Sequence, residues 1–539
     1  MPKEKILVTC ALPYANGPLH AGHIRSTYLP ADIYVRFLKM NDENVLFICG
    51  SDEHGTPITV RADKEKVSPI DIATMYHNVM QGEFSALRID FDIFSRTTTK
   101  TNSRNAQEFF LKALKKGYIY DKEVEQYFCK TCSKFLPDRY VEGNCPSCNY
   151  EGARGDHCDK CGRALKELTN PHCIICNNAP EMRKTKHWFF KLSAFGKQLK
   201  KFLSSREMPA NVKNYSLDWI KNLQDWCITR DLDWGVPVPL KEAKGKVLYV
   251  WWDAPIGYIS ATEDFTSKWK DYWKKGKIIQ FIGKDIIYHH ALFWPAMLMA
   301  HGEYNLPFKI LAGEYLSLEG KKMSTSRNWV VWVSDFLKKY PPDYLRYYLT
   351  ITTPLNADMD FSWKDFEARI NNELSDALGN FIHRTLTFTQ RFYKGKIPRP
   401  GKLSADDKEV FAKIKETQKI VAQKIKEFNF IEGMRAVMDL ARFGNVYFNE
   451  KAPWKDEKTK NATIFVSLNL VNALSVLMAP FLPNTALEIR HQLGRKIIIS
   501  ELKWSQVNEK IKAGEKISAQ VHPIIQKVEI TQLDENKRR

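Results

Sequence analysis

KILVTCALPYANGPLHAGHI, residues 5–24, is the stretch on which the fold turns. It opens as a short apolar, partly β-branched run, Lys5 to Thr9, passes through a turn built from Pro13, Asn16, Gly17 and Pro18, and then takes up helical spacing. Strand, turn and helix in that order are half of a βαβ unit. A second apolar run, NVLFIC at 44–49, starts the next unit. The alternation stops near residue 117 and resumes with KVLYVWW at 246–252, KIIQFIG at 277–283 and KILAG at 309–313. The pattern predicts an α/β fold, with one Rossmann-like parallel sheet assembled from two separated halves of the chain.

Between the halves, residues 117–186 turn rich in Cys, Gly, Asn and Lys and lose their periodicity. Eight of the 11 cysteines stand there in four CxxC pairs: Cys129 with Cys132, Cys145 with Cys148, Cys158 with Cys161, and Cys173 with Cys176. A CxxC knuckle offers two thiolates from one tight turn, so eight thiolates satisfy two tetrahedral Zn²⁺ ions. Complete Cys₄ shells leave no open coordination position, so the expected zinc is structural. Spacing leaves a nested and a sequential pairing of the knuckles both open. Cys10, Cys49 and Cys227 lie in apolar surroundings and read as inert thiols.

Beyond Trp363 strand signals fade. Phe366, Ile370, Leu374, Ala377 and Phe381 recur three and four apart, and further helical stretches at about 404–427, 431–449 and 459–478 imply an α-helical bundle. At 539 residues the chain exceeds a single core. The expected division is a first Rossmann half, 1–116; a connective insertion with the knuckles, 117–215; a second half, 216–315; a stem-contact region, 316–362; and the bundle, 363–539.

Lysine and arginine number 81 against 62 acids, a formal charge of +19 that suits a polyanionic partner such as nucleic acid. The first residues carry no apolar signal region, and the apolar stretch at 286–300 is broken by His289, His290 and Pro295. A cytoplasmic protein without a membrane span is expected.

His20 and His23 lie three residues apart at the start of the first helix, hence on one face, where backbone N–H groups and the helix dipole favour an anion. Gly22 between them permits close approach of a ligand. Three hundred residues later, GKKMSTS at 320–326 is a small-residue loop whose Lys322, with Ser324 and Thr325, can reach phosphate oxygens. ATP phosphates suit such a pair of elements.

Together these runs resemble the HIGH and KMSKS signatures of the class I aminoacyl-tRNA synthetases. The resemblance is strongest to the methionyl-tRNA synthetase family and extends over nearly the whole chain. ALPYANGPLHAGH (11–23), CGSDEHGTP (49–57), YVWWDAPIGY (249–258), IGKDIIYHHALFWPAML (282–298) and NEKAPW (449–454) all carry it. The resemblance implies that methionine attacks the α-phosphate of ATP, with Mg²⁺ on the phosphates, and that the resulting adenylate passes its methionine to tRNA(Met), including the initiator. His20 and His23 would donate to the phosphates and Lys322 would neutralise the leaving pyrophosphate, chemistry dominated by alignment and charge. Two departures stand out: Ala21 replaces the signature isoleucine, and Thr325 stands where many relatives carry a second lysine, with Lys321 and Arg327 as the neighbouring cations.

Carried over position by position, the amino-acid pocket comprises Ala11, Leu12, Tyr14, Trp251, Ala254, Pro255, Tyr258, Ile286, His290 and Trp294, with Tyr14 and His290 as weak donors to the thioether sulfur. Asp52 would accept from the methionine ammonium, faced by Arg230. Asn380, Arg384 and Trp454 match the anticodon-reading positions. Members of the family that keep only the inner four cysteines favour nested pairing. A monomer is expected. The branched-chain enzymes of the class need a larger insertion than this chain has room for. A cysteinyl enzyme would bring zinc into the pocket, and neither a zinc-ribbon protein nor a simple nucleotidyltransferase would need all of these parts.

Overall fold

The computed structural model describes residues 3–155, 158, 160–161, 165, 167–325, 327–352, 354–495 and 498–530. Ser326, the last residue of the second signature, falls outside them. Five strands form one parallel sheet: β1 (Lys5–Cys10), β2 (Asn44–Ser51), β3 (Ile93–Arg96), and, after a long interruption, β6 (Lys277–Gly283) and β7 (Lys309–Gly313). Their spatial order is β7-β6-β1-β2-β3, so β1 joins the two halves, pairing with β2 on one side and β6 on the other. Val45 to Ser51 of β2 and Ile6 to Cys10 of β1 are buried throughout, on both faces of the sheet. That explains why these strands read as continuous apolar runs rather than as alternating ones. The chain order reverses beside β1, and in such sheets the crevice at the strands' carboxyl ends is where ligands bind.

After β1 the chain enters α1, residues 21–40, a helix widened to a π turn over Ile24–Tyr28. The insertion is an antiparallel arm, β4 (Ile119–Cys129) against β5 (Glu181–Phe190), in register from Ile119↔Phe190 to Phe128↔Glu181. The knuckles lie beyond the end of this arm on a small core of Cys129, Leu136, Tyr140, Val141 and Cys145. A core of that size cannot hold a module by itself. After β7, a small sheet pairs β8 (Leu316–Leu318) with β9 (Lys321–Lys322) and β10 (Met359–Phe361).

The bundle begins along a helix that runs from Trp363 through a π-helical stretch, Ile370–Gly379, into α3 (Asn380–Tyr393). It continues in α4 (Ala405–Lys426), α5 (Phe430–Lys451) and α6 (Lys460–Leu477), each within two residues of the expected bounds. The helix α6 has the length and composition to cross a membrane, yet 89% of that window is buried inside the bundle. It is a core helix. The bundle shares one hydrophobic core with the back of the sheet. Arg346, fully buried, pins the two together: its guanidinium donates to Asp32 of α1 (2.7 Å) and to the carbonyls of Leu87 (3.1 Å), Pro480 (3.1 Å) and Phe481 (2.7 Å).

Candidate active site

Leaving β1, residues 11–20 cross the carboxyl edge of the sheet. The turn is tied to the end of β2, since Asp52 N–H donates to Pro13 O (2.9 Å) and Ala15 N–H to Asp52 O (2.8 Å). His20 is extended and caps α1: its Nδ1 accepts from Gly22 N–H (3.1 Å), while its own N–H donates to Nδ1 of His23 (3.3 Å). The two rings stack 3.6 Å apart. A Cβ on Gly22 would come within 3.0 Å of the His20 ring, so the glycine serves this stack before it serves any ligand. An Nδ1 that accepts carries no proton, so each neutral imidazole holds its hydrogen on Nε2. Burial lowers His20 to about 4, and burial together with the neighbouring His20 holds His23 well below its ordinary value. The pair is therefore two uncharged Nε2–H donors at a helix N-terminus.

Glu83, on α2 (Pro69–Ala86), supports this turn by accepting from Leu19 N–H (2.8 Å). Burial raises its carboxyl to about 7, against the pull of that bond. Sequence reading passed over it, although an acid on the apolar helix face of Ile72, Ala73, Met80 and Phe84 is a legible signal. Because the folded value is raised, Glu83 favours folding while protonated, below the unfolded value, and that contribution is lost as pH rises through about 7. Glu83→Gln should therefore gain in Tm relative to the parent as pH goes from 5 to 8, measured by thermal melts; a pH-independent difference would contradict the assignment.

The segment that follows the second signature is joined to the first by main chain. Ala21 N–H donates to Val331 O (2.9 Å) and Val333 N–H to Leu19 O (3.0 Å), with His20 bridged to Trp332 between them. The loop before this segment closes on itself, Ser324 and Trp329 exchanging both backbone bonds at 2.9 and 3.0 Å. Lys322 stands exposed on β9, register partner of Ser317, and Thr325 and Arg327 are also exposed. Lys321 lies over the Trp329 ring, 5.4 Å from its centroid.

A cleft of about 510 Å³ opens at the β1–β6 switch point. Its lining includes Ala11, Leu12, Tyr14, His23, Asp52, Arg230, Trp251 and Ile286. A cavity of about 590 Å³ between α1, β7 and the α4–α5 turn is larger but contains neither histidine nor Asp52, so chemistry rather than size marks the site. Asp52 Oδ1 is buried and has no hydrogen-bond partner among the described residues. Burial, then Asp253, push its carboxyl well above the carboxylate range, so the site gains most from a cation. Asp253 itself is met by His54 Nδ1 at 2.8 Å. Arg230 donates to the carbonyls of Cys227 (3.1 Å) and Thr229 (2.9 Å) and lies over Tyr249 at 4.1 Å.

The remaining residues expected in the pocket are not among that lining. Ala254, Pro255, Tyr258, His290 and Trp294 are buried, and Trp294 packs against Phe109 and Trp273. The two expected sulfur donors have other partners: Tyr14 Oη donates to His54 O (2.5 Å), and His290 Nδ1 faces Ile286 O (3.2 Å) while its Nε2 takes the Tyr258 hydroxyl (2.8 Å). A contact from either to a thioether would have to replace one of these bonds. His289, which sequence reading treated only as an interruption, stacks on Trp251 at 3.7 Å and lines the back of that ring.

Far from the cleft, Asn380 and Arg384 lie one turn apart on α3. The Arg384 guanidinium sits 5.6 Å from the centroid of Trp454 and 5.1 Å from that of Phe448. Trp454 is 47% exposed, so it is not a core residue of the bundle.

In the insertion, Cys129, Cys132, Cys173 and Cys176 form one group and Cys145, Cys148, Cys158 and Cys161 another, the sulfurs of each lying within 4.8 Å of one another. The pairing is nested. Cross-knuckle sulfur separations are 3.4 Å (Cys129–Cys176), 3.9 Å (Cys132–Cys173), 3.8 Å (Cys145–Cys161) and 3.6 Å (Cys148–Cys158). A tetrahedron with metal–sulfur bonds of about 2.3 Å has edges of about 3.8 Å, whereas a disulfide needs about 2.0 Å. Both groups can hold a metal ion.

Residues 6–386 match the family model described as tRNA synthetases class I (M), and residues 397–539 match the anticodon binding domain of methionyl tRNA ligase. The methionine–tRNA ligase of Methanosphaera stadtmanae is 48% identical over 97% of this chain and 81% of its own length. That of Pyrococcus furiosus is 46% identical over 95% and 74%. The Mycobacterium tuberculosis methionyl-tRNA synthetase in complex with methionyl-adenylate superposes with a TM-score of 0.81 at 25% identity, covering 97% of this chain and all of that one. The chain belongs to the methionine branch of the class I tRNA synthetases, the methionyl-tRNA synthetase family.

Proposed function

We infer that the chain is a methionine–tRNA ligase: it activates methionine with ATP to methionyl-adenylate and pyrophosphate, then transfers the amino acid to tRNA(Met), the initiator included. The observation that supports this reading is the main-chain pairing of Leu19–Ala21 with Val331–Val333, which holds the segment following the second signature against the first, beside a cleft whose lining includes His23 and Asp52. Asp52 receives the methionine ammonium, whose charge compensates the buried carboxyl. The methionine side chain lies against Leu12, Trp251 and Ile286. The Nε2–H groups of His20 and His23 point their donors at the phosphates and strengthen as negative charge builds there, with no proton transferred. Lys322, exposed on its hairpin, closes over the departing pyrophosphate, and Mg²⁺ supplies further charge neutralisation on the phosphate oxygens. Asn380, Arg384 and Trp454 read the anticodon. Methionine-dependent ATP–pyrophosphate exchange tests the reading against leucine and cysteine; exchange with either in preference to methionine overturns it.

The two thiolate groups are assigned to structural Zn²⁺, which suits soft sulfur ligands and a closed tetrahedral shell. Thiolate ligation also fits a reducing cytoplasm. Purified protein should contain two zinc equivalents by elemental analysis, and Cys148→Ser should remove one of them while leaving the outer group loaded. Loss of both from this single change would point to a shared site. The protein is read as a monomer, which light scattering on the purified chain tests directly.

A further inference from the structure

Two residues beyond His23, on the same helix, Arg25 is 3% exposed and reaches across nearly 300 positions of sequence. Its Nη1 donates to Glu314 O (2.8 Å), and its Nη2 to Pro354 O (3.0 Å) and Ala357 O (2.5 Å). These carbonyls bracket the small sheet that carries Lys322. Glu314 precedes β8, and 354–357 lead into β10; the two segments are tied to each other by Glu314 N–H to Leu355 O (3.0 Å) and Met359 N–H to Tyr315 O (3.0 Å). From β8 the register passes directly to β9, Ser317 opposite both Lys322 and Asp360. Asp360 closes the hairpin, accepting from Ser317 Oγ (2.6 Å) and Gly320 N–H (2.8 Å). The contact is close at main-chain level as well: a Cβ on Gly313 would fall 2.3 Å from Ser26 O, next to Arg25.

The histidine helix and the lysine hairpin are thus held at two places, by the Leu19–Ala21 pairing downstream of the loop and by Arg25 at the base of the sheet, while Lys321, Lys322, Thr325 and Arg327 stay exposed. From this juxtaposition, and resting on the function inferred above, we propose that Arg25 is a positioning residue that sets Lys322 relative to His20 and His23 for adenylate formation. It touches no substrate. Three carbonyl oxygens on a planar, always charged fork are a task that lysine cannot duplicate, since an ammonium lacks the second arm.

A misplacement of about 1 Å at a reacting centre costs about a hundredfold. Arg25→Met should therefore lower kcat for methionine-dependent ATP–pyrophosphate exchange by about a hundredfold, with KM for methionine unchanged. Transfer from supplied methionyl-adenylate to tRNA should be unaffected, because no pyrophosphate leaves in that step. Arg25→Lys should recover part of the loss. In a Lys322→Ala background, Arg25→Met should cost nothing more, which a merely structural clamp would not produce. Equal losses in both half-reactions, additivity with Lys322→Ala, or full exchange in Arg25→Met overturns the proposal, and Arg25→Lys keeps the cycle readable where the methionine variant folds poorly. A parent chain with no methionine-dependent exchange, or one in which Lys322→Ala is silent, would overturn the functional reading beneath it.

Discussion

His20→Asn is expected to slow ATP–pyrophosphate exchange by about a hundredfold while leaving the melting temperature near that of the parent; removing one preorganised donor typically costs this much. The separation follows from the two ring nitrogens having different tasks. Nδ1 accepts from Gly22 N–H and caps the helix, and an asparagine amide oxygen occupies the same place. Nε2 is the donor that the proposed function directs at the phosphates, and asparagine has nothing at that reach. His20→Ala removes both, so it should lose exchange to a similar degree and about 1 kcal/mol of stability as well. Methionine affinity, measured by equilibrium dialysis without ATP, should be unchanged in both variants, because Asp52 and Trp251 are untouched. A His20→Asn protein that exchanges normally would remove His20 from the chemistry and leave it a helix cap. His23→Ala belongs to the same series: it should slow adenylate formation more than it weakens methionine binding, and equal losses would sink its role.

Trp454→Ala is the second large effect expected: aminoacylation should fall by about tenfold to a hundredfold in kcat/KM for tRNA, the worth of one base–aromatic stack. Pyrophosphate exchange should be preserved. The indole stands half-exposed with Arg384 over it, so a base stacking there would meet a cation as well as an aromatic plane. Its neighbour Phe448 is buried and continues to support the surface once the indole is gone. Loss of exchange together with charging would mean that the residue holds the bundle together.

Comparison of particular elements shows how much was legible beforehand. β1, β2, β6 and β7 declare themselves because a strand buried on both faces has to be apolar over most of its length. The bundle helices α4 and α5 declare themselves because a 3.6-residue stripe repeats along their length, and α6 because it is apolar all round. The knuckles are visible because metal chemistry needs a definite residue at a definite spacing. Their nested pairing is different: two residues between cysteines define each turn, and the folding of the arm β4–β5 decides which turns meet. Likewise the resemblance assigned Tyr14 and His290 to the pocket but could not reveal that the structure directs their hydrogens to His54 O and to Ile286 O.

By itself, then, the amino-acid sequence determined the split parallel sheet, the bundle, the two signatures and the eight thiols, since each is written in local periodicity or in spacing within a few residues. Only the tertiary structure decided what those parts do together. It placed the protons of His20 and His23 on Nε2, left Trp454 exposed on the turn after α5, brought Val331–Val333 onto the histidine turn, and carried Arg25 to the base of the Lys322 sheet. The last two outcomes depend on backbone groups about 300 residues away in the chain, and backbone groups carry no sequence signal. Their partners are chosen by packing, which settles them only when the whole chain has folded.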